Sequence, residues 1–286
     1  MTNRQQETNK KTPPLSAQPV KEVSSDVHQE AKTDLQAALT DTTRSPLKKY
    51  MELVIGNAGL GSLLKYELIM LLCNATPGAL GFFLRKMLYP KLFKRVGRGT
   101  VFGRNMTIRH PGKITIGDNC VFDDMVVLDA KGSDKTGISI GDNVIIARNT
   151  VLSCKGGVIE IGDNSNISLN CMIHSEKTVV IGKNNLWAAY CYVIGGGSHD
   201  FDRVDIPIMQ QGSHVIGVKM DDDIWLGAGV TILDGCHIGA GVVIGAGSLV
   251  TKSIPDYHLA AGSPARVIRD RRNIPTSDDH SGKDKQ

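Results

Sequence analysis

His199 is the residue best placed by its neighbours to do chemistry. It follows three consecutive glycines in Gly195-Gly196-Gly197-Ser198-His199-Asp200, and an imidazole on a glycine-led loop can take or give a proton near neutral pH. Asp200, Asp202, Arg203 and Asp205 follow closely. They suit either contacts to a hydroxylated ligand or plain solvation. Upstream, His174 and Glu176 lie two residues apart. Of the six cysteines, no two form a Cys-x-x-Cys pair, so neither a zinc knuckle nor a dithiol motif is indicated.

The scaffold that must position these residues is written as a period of six. Apolar anchors form the triplets Val96/Phe102/Ile108, Ile116/Phe122/Leu128, Ile140/Ile146/Leu152, Ile161/Ile167/Ile173, Ile181/Trp187/Val193, Met220/Leu226/Ile232 and Ile238/Ile244/Val250. A six-residue repeat fits neither a 3.6-residue helix nor a simple strand alternation. It predicts a parallel β-helix of about seven coils, each made of three short strands. Spacing within a triplet stays at six, so extra residues enter at one corner only. The step from Val193 to Met220 is 27 residues, and this single long insertion, 194–217, contains His199. In the same register His174 stacks with Asp129, Ser153 and Ile194, close to the base of that insertion, where it either meets a ligand or packs at the corner.

Composition agrees. The chain has 286 residues and 31 glycines, which suits repeated tight corners. Gly-Asp-Asn recurs at 117–119, 141–143 and 162–164, placing turn formers at equivalent points. Cys120, Cys171, Cys191 and Cys236 each lie four residues after an anchor, where a small inward side chain is wanted. Unpaired thiols and the lack of a leader-like apolar segment lead to an expected cytoplasmic location, with membrane association left open.

Residues 1–45 carry six Lys/Arg and six Asp/Glu and little apolar content, so a disordered tail is expected and no nucleic-acid arm is indicated. Residues 276–286 read the same way. Residues 46–95 differ. Leu60, Leu63, Leu64, Leu68, Leu71 and Leu72 fall on one helical face, and Leu80, Phe83, Leu84, Met87 and Leu88 form a second stripe after Pro77-Gly78. Between residues 46 and 98 nine Lys/Arg face two Asp/Glu. Two readings fit: a helical cap over the end of the coil, or a hairpin resting on an anionic membrane surface. A span is not expected, because the uncharged stretch 68–84 is short and contains Asn74, Thr76, Pro77 and Gly78. The β-helix occupies 96–254, and a tail covers 255–275.

The run Ile224-Trp225-Leu226-Gly227-Ala228-Gly229, continuing through Ile244-Gly245-Ala246-Gly247-Ser248-Leu249-Val250-Thr251-Lys252 to Ala261-Gly262-Ser263-Pro264-Ala265-Arg266-Val267-Ile268-Arg269, resembles the hexapeptide-repeat acyltransferases. Within that family it is most similar to the galactoside, maltose, xenobiotic and exopolysaccharide O-acetyltransferase branch. The resemblance covers about residues 96–270 and implies a left-handed β-helix, a homotrimer and acetyl-coenzyme A or another acyl-coenzyme A as co-substrate, with no metal. It implies that His199 is the general base for a sugar, glycan or glycolipid hydroxyl, attacking the thioester directly. It further implies donor contacts at Ala246, Thr251, Lys252 and Arg269, with Arg266 nearby, Ala228 where some members carry serine, and Trp225 as an active-site wall. Gly227, Ala228, Gly245 and Ala246 would keep that surface shallow. Glu176 lies near an acidic acceptor-binding position of galactoside-type members, and His174 and Asp202 are further acceptor candidates. The γ-class carbonic anhydrases share the coil but need paired histidines five residues apart; here Val204 and Val179 stand five after His199 and His174. Nucleotidyltransferases with this coil bring an α/β domain for which no Gly-rich strand–helix unit is present. N-acyl transfer to an amino sugar, and a non-catalytic membrane-docked assembly protein, remain the alternatives.

Overall fold

The computed structural model describes residues 45–56, 59–131, 137–197 and 199–273; of the tails expected at 1–45 and 276–286, all but Ser45 lie outside the described residues. All seven anchor triplets stack. On the first face Val96, Ile116, Ile140, Ile161, Ile181, Met220 and Ile238 pair coil to coil. Phe102 through Ile244 do so on the second face, and Ile108 through Val250 on the third. Every one of these pairings is parallel. The strands are two to four residues long, as in Val121–Phe122 and Met172–Ser175, so the core is a column of anchors rather than a layered sandwich. After the seventh coil, His258–Gly262 adds an eighth rung to the second face, and Ala265–Asp270 folds back antiparallel on it.

The six-residue period has a backbone cause at the corner between the first and second faces. Asn119, Asn143, Asn164 and Asn184 all adopt the left-handed conformation, with φ from 54° to 59°, which asparagine tolerates better than most residues. Their amides bond one another up the stack at 3.4, 3.1 and 3.2 Å. Beside them the Asp142 and Asp163 carboxylates accept from the amides of Asp118 and Asp142 in the coil below. All six cysteines are free and buried.

Three helical pieces precede the coil: α1 (Pro46–Tyr50), continued by a wider turn over Met51–Ile55, α2 (Leu60–Cys73) and α3 (Gly78–Leu88). They cap the first coil. The Tyr66 hydroxyl donates to Ile108 O at 2.7 Å, and the buried Arg85 guanidinium donates to the carbonyls of Phe102, Cys73 and Thr76. Arg85 thereby satisfies both a helix end and an unpaired strand edge. Phe93, Phe102 and Phe122 stack beneath. The packing face coincides only in part with the leucine stripes: α2 buries Tyr66, Ile69 and Cys73, α3 buries Gly81 and Arg85, and Leu63, Leu84 and Leu88 pack alongside them. Leu60, Leu64, Leu68, Leu71, Leu72 and Leu80 point outward. Gly81 is required by the connection between the helices, since a Cβ there would lie 1.8 Å from Thr76 O.

Candidate active site

The corner between the third and first faces admits the insertion. The chain leaves the coil after Tyr192–Gly195 and rejoins it at Val218–Met220. A carboxylate grips each end. At the exit, Asp234 of the following coil accepts from Ile216 N at 2.9 Å and Gly217 N at 2.8 Å. At the entry, Glu176 of the preceding coil accepts from Gly197 N at 3.1 Å. Gly217 is obligatory here: its φ is 102°, and a Cβ would lie 2.4 Å from Thr178 O.

Between these grips the loop folds back on itself. His199 and Ser213 form an isolated antiparallel bridge, and Asp200 N donates to Gly212 O at 2.8 Å. The Asp200 carboxylate meets His214 Nδ1 at 2.8 Å, tying the two arms side chain to side chain. Gln211 accepts from Arg203 N and donates to Arg203 O. A depression of about 400 Å³ opens among Asp200, Asp202, Arg203, Ile206, Gln210, Gln211, Gly212 and His214. His199 itself is exposed, so its imidazole can meet a ligand on the outside of the coil.

His174 and Glu176 sit at the base. His174 pairs in register with Ser153 and Ile194, and its Nε2 lies 3.5 Å from Glu176 Oε1, which also takes Lys155 Nζ at 3.0 Å. Burial works against ionisation of Glu176. The Gly197 amide and the Lys155 ammonium outweigh it and hold the carboxyl below its usual range. Glu176 is therefore a charged brace for the loop, and a Cβ on Gly196 would collide with its Cγ at 2.6 Å.

The proposed donor residues occupy two other places. Trp225, half exposed, stands outward on the second face, in register between Leu186 and Val243. Gly227-Ala228 and Gly245-Ala246 follow at the second-to-third corner of successive coils, where a Cβ on Gly227 would lie 2.5 Å from Ala246 N. That corner is bare backbone. Thr251 and Lys252 instead follow the third-face strand Leu249–Val250, on the same corner as the His199 loop two coils further on. Arg266 and Arg269 are exposed on the closing hairpin, opposite Ala261 and Leu259. Within one chain, then, His199, His174, Glu176 and Asp202 belong to one corner with Thr251 and Lys252, whereas Trp225, Ala228 and Ala246 lie across the third face. Among the described residues no group of three His, Cys, Asp or Glu side chains could hold a metal.

Sequence reasoning passed over two contributors. His214 has no motif around it and is brought to Asp200 only by the hairpin pairing. Asp234 was detectable in principle, as the acidic residue two after anchor Ile232 at the corner where the insertion returns.

A stacked hexapeptide coil with one histidine-bearing insertion and a small-residue corner defines a class of transferase scaffold. Two family models agree: bacterial transferase hexapeptide (six repeats) matches residues 217–252, and hexapeptide repeat of succinyl-transferase matches 132–154. The putative lipopolysaccharide biosynthesis O-acetyl transferase WbbJ of Escherichia coli is 33% identical over 139 residues, covering 46% of this chain and 71% of that protein. The chain belongs to the hexapeptide-repeat acyltransferase family. The galactoside O-acetyltransferase of Escherichia coli is 35% identical over 133 residues, 46% of this chain and 63% of that protein. A probable acetyltransferase of Mycobacterium tuberculosis is 32% identical over 135 residues, 47% of this chain, and the chain spans only 45% of its length. Among solved structures, the polysialic acid O-acetyltransferase OatWY superposes with a TM-score of 0.46 at 26% identity, covering 62% of this chain and 81% of that one.

Proposed function

We propose that this protein transfers an acyl group, acetyl in the simplest case, from acyl-coenzyme A to a hydroxyl of a sugar, glycan or glycolipid precursor. The observation that carries the reading is the placement of exposed His199 on a loop gripped at both ends, at the same corner as Thr251 and Lys252. His199 takes the proton of the acceptor hydroxyl as its oxygen attacks the thioester carbonyl. The tetrahedral intermediate collapses with cleavage of the C–S bond, and the imidazolium returns its proton to the departing thiolate. No covalent enzyme intermediate is needed. Lys252, Arg266 and Arg269 serve the donor phosphates, and Trp225 offers an apolar wall.

A homotrimer would unite the divided site. The outward columns support this. On the second face they read Val101, Val121, Ile145, Asn166, Leu186, Trp225, Val243 and Leu259. The third face presents Thr107, Val127, Val151, Met172, Tyr192, Thr231 and Leu249. The first face is more polar, with Arg95, Thr115, Ser139, Glu160, Val180, Lys219 and His237. Two apolar faces suit neighbours across which Trp225 of one copy meets the loop of another.

Calorimetry with acetyl- and longer acyl-coenzyme A tests the donor half. Binding should weaken on the order of 10-fold in Lys252→Ala, the scale of a lost charge-assisted contact. His199→Ala should keep donor binding and lose roughly 10²- to 10⁴-fold in turnover with a sugar acceptor. An unbound donor of any chain length would favour the non-catalytic assembly alternative, and full activity in His199→Ala would remove the base.

A further inference from the structure

The capping helices have two faces, and only one is used by the coil. Tyr66, Ile69 and Cys73 of α2 and Gly81 and Arg85 of α3 are buried on the first coil. On the other side α2 presents Leu60, Leu64, Leu68 and Leu71, the last 80% exposed, and α3 presents Leu80, Phe83 and Met87. The spacings of four, four and three along α2 make this one continuous ridge. A terminal cap on a stacked-repeat protein needs a polar outer face to stay in water. This one is apolar on both sides.

Charge says what covers it. Residues 46–98 hold nine Lys/Arg and two Asp/Glu, whereas residues 99–286 hold 18 and 21. Lys48, Lys65, Lys86, Lys91, Lys94, Arg95 and Arg98 are exposed around the two helices. A second copy docking cap to cap would set like charge against like. The first 45 residues carry six charges of each sign and bring no complementary excess. The leucines project from ridges rather than line a cleft, which suits a deformable apolar layer behind an anionic one. No single helix among the described residues is long and apolar enough to cross a bilayer.

We infer that α2 and α3 dock this protein on an anionic lipid surface, with the leucine ridge set into the headgroup boundary and the lysines against the phosphates. The axis of the coil then starts at the membrane. This docking stands on the cap alone and is independent of the acyl-transfer reading. Because Leu64, Leu68 and Leu71 do not contact the coil, they can be changed without disturbing the core.

Flotation of the full chain with vesicles of phosphatidylglycerol and phosphatidylcholine, against phosphatidylcholine alone, tests this. The chain should float with the anionic vesicles at low salt and bind more weakly at high salt. The triple variant Leu64→Glu, Leu68→Glu, Leu71→Glu should bind at least ~10-fold more weakly while keeping its melting temperature and donor binding. Lys65→Glu with Lys86→Glu should reduce binding to anionic vesicles only. Three results would overturn the assignment: a folded parent chain that ignores anionic vesicles at low salt, a triple variant that floats as well as the parent, or a triple variant whose particle mass drops in sedimentation with flotation unchanged. The last would assign the ridge to another copy.

Discussion

Two corners of the same coil behave in opposite ways. Between the first and second faces every coil turns through an equivalent left-handed residue, from Gly99 through Asn119 and Asp223 to Gly241, and no residue is gained or lost. Between the third and first faces the step from anchor to anchor runs from six residues (Ile232 to Ile238) to 27 (Val193 to Met220): His110 seats the cap turn, Glu176 and Asp234 grip the loop, and Lys252 stands exposed at the end. The difference is one of constraint. A corner whose side chains bond their copies above and below cannot vary without breaking a ladder, so it carries no chemistry. The corner without a ladder is free to take an insertion, and its residues are tied by individual contacts instead. Repetition stabilises one edge of the prism and specialisation occupies another.

That contrast can be broken experimentally. The largest effect is expected at the gripped loop. Asp234→Ala removes the acceptor for two amides, and Glu176→Gln weakens the entry brace. Each should lower turnover by on the order of 10- to 100-fold through misplacement of His199, with donor affinity retained. Hydrogen exchange at 216–217 should accelerate in Asp234→Ala; unchanged exchange with lost activity would give Asp234 a direct role instead. For Glu176 the carboxyl is depressed in the folded state, so the brace holds above the ordinary carboxylate range and is lost as pH falls through the lowered value.

At the repeating corner the effect should be smaller and of another kind. Asn143→Ala puts an alanine at φ 57° and cuts the amide ladder, at about 1–2 kcal/mol. The melting temperature should drop by several degrees with turnover untouched, and Asn143→Gly should recover part of it. A fall in kcat here would erase the distinction between the corners.

The smallest effect belongs to His110. It is buried, with neither ring nitrogen hydrogen-bonded, and burial, reinforced by Lys113, pushes its pKa below the usual 6.5. The Glu52 and Leu53 backbone and the Asp129 carboxylate pull the other way without prevailing. The unfolded chain therefore takes up the proton first, and this position's contribution is intact above the unfolded value and declines as pH falls below it. His110→Asn, which tolerates the local φ of 52°, should flatten that slope in thermal melts at mildly acid pH. An unchanged slope would move the titration elsewhere.

The fold was legible because its signal is periodic: seven triplets with one register admit few alternatives, and the insertion shows as a break in the count. His199 was legible for the same reason. The leucine stripes of α2 and α3 left open which residues meet the coil, since apolarity marks a face that wants burial without naming its partner. Tyr66, Cys73 and Arg85 won the coil because small and hydrogen-bonding groups let the helices approach an unpaired strand edge.

By itself, then, the sequence determined the coil, its register, the corner that opens and the histidine set there, because these depend on spacing along one chain. The tertiary structure decided the rest. It closed Asp200 on His214, anchored Ile216 and Gly217 on Asp234, placed Glu176 beneath Gly197, and separated Trp225 from the loop by the width of a face. Those relations join residues from different coils or opposite arms of a hairpin. Their distances arise only when the coils stack, and no periodicity encodes them.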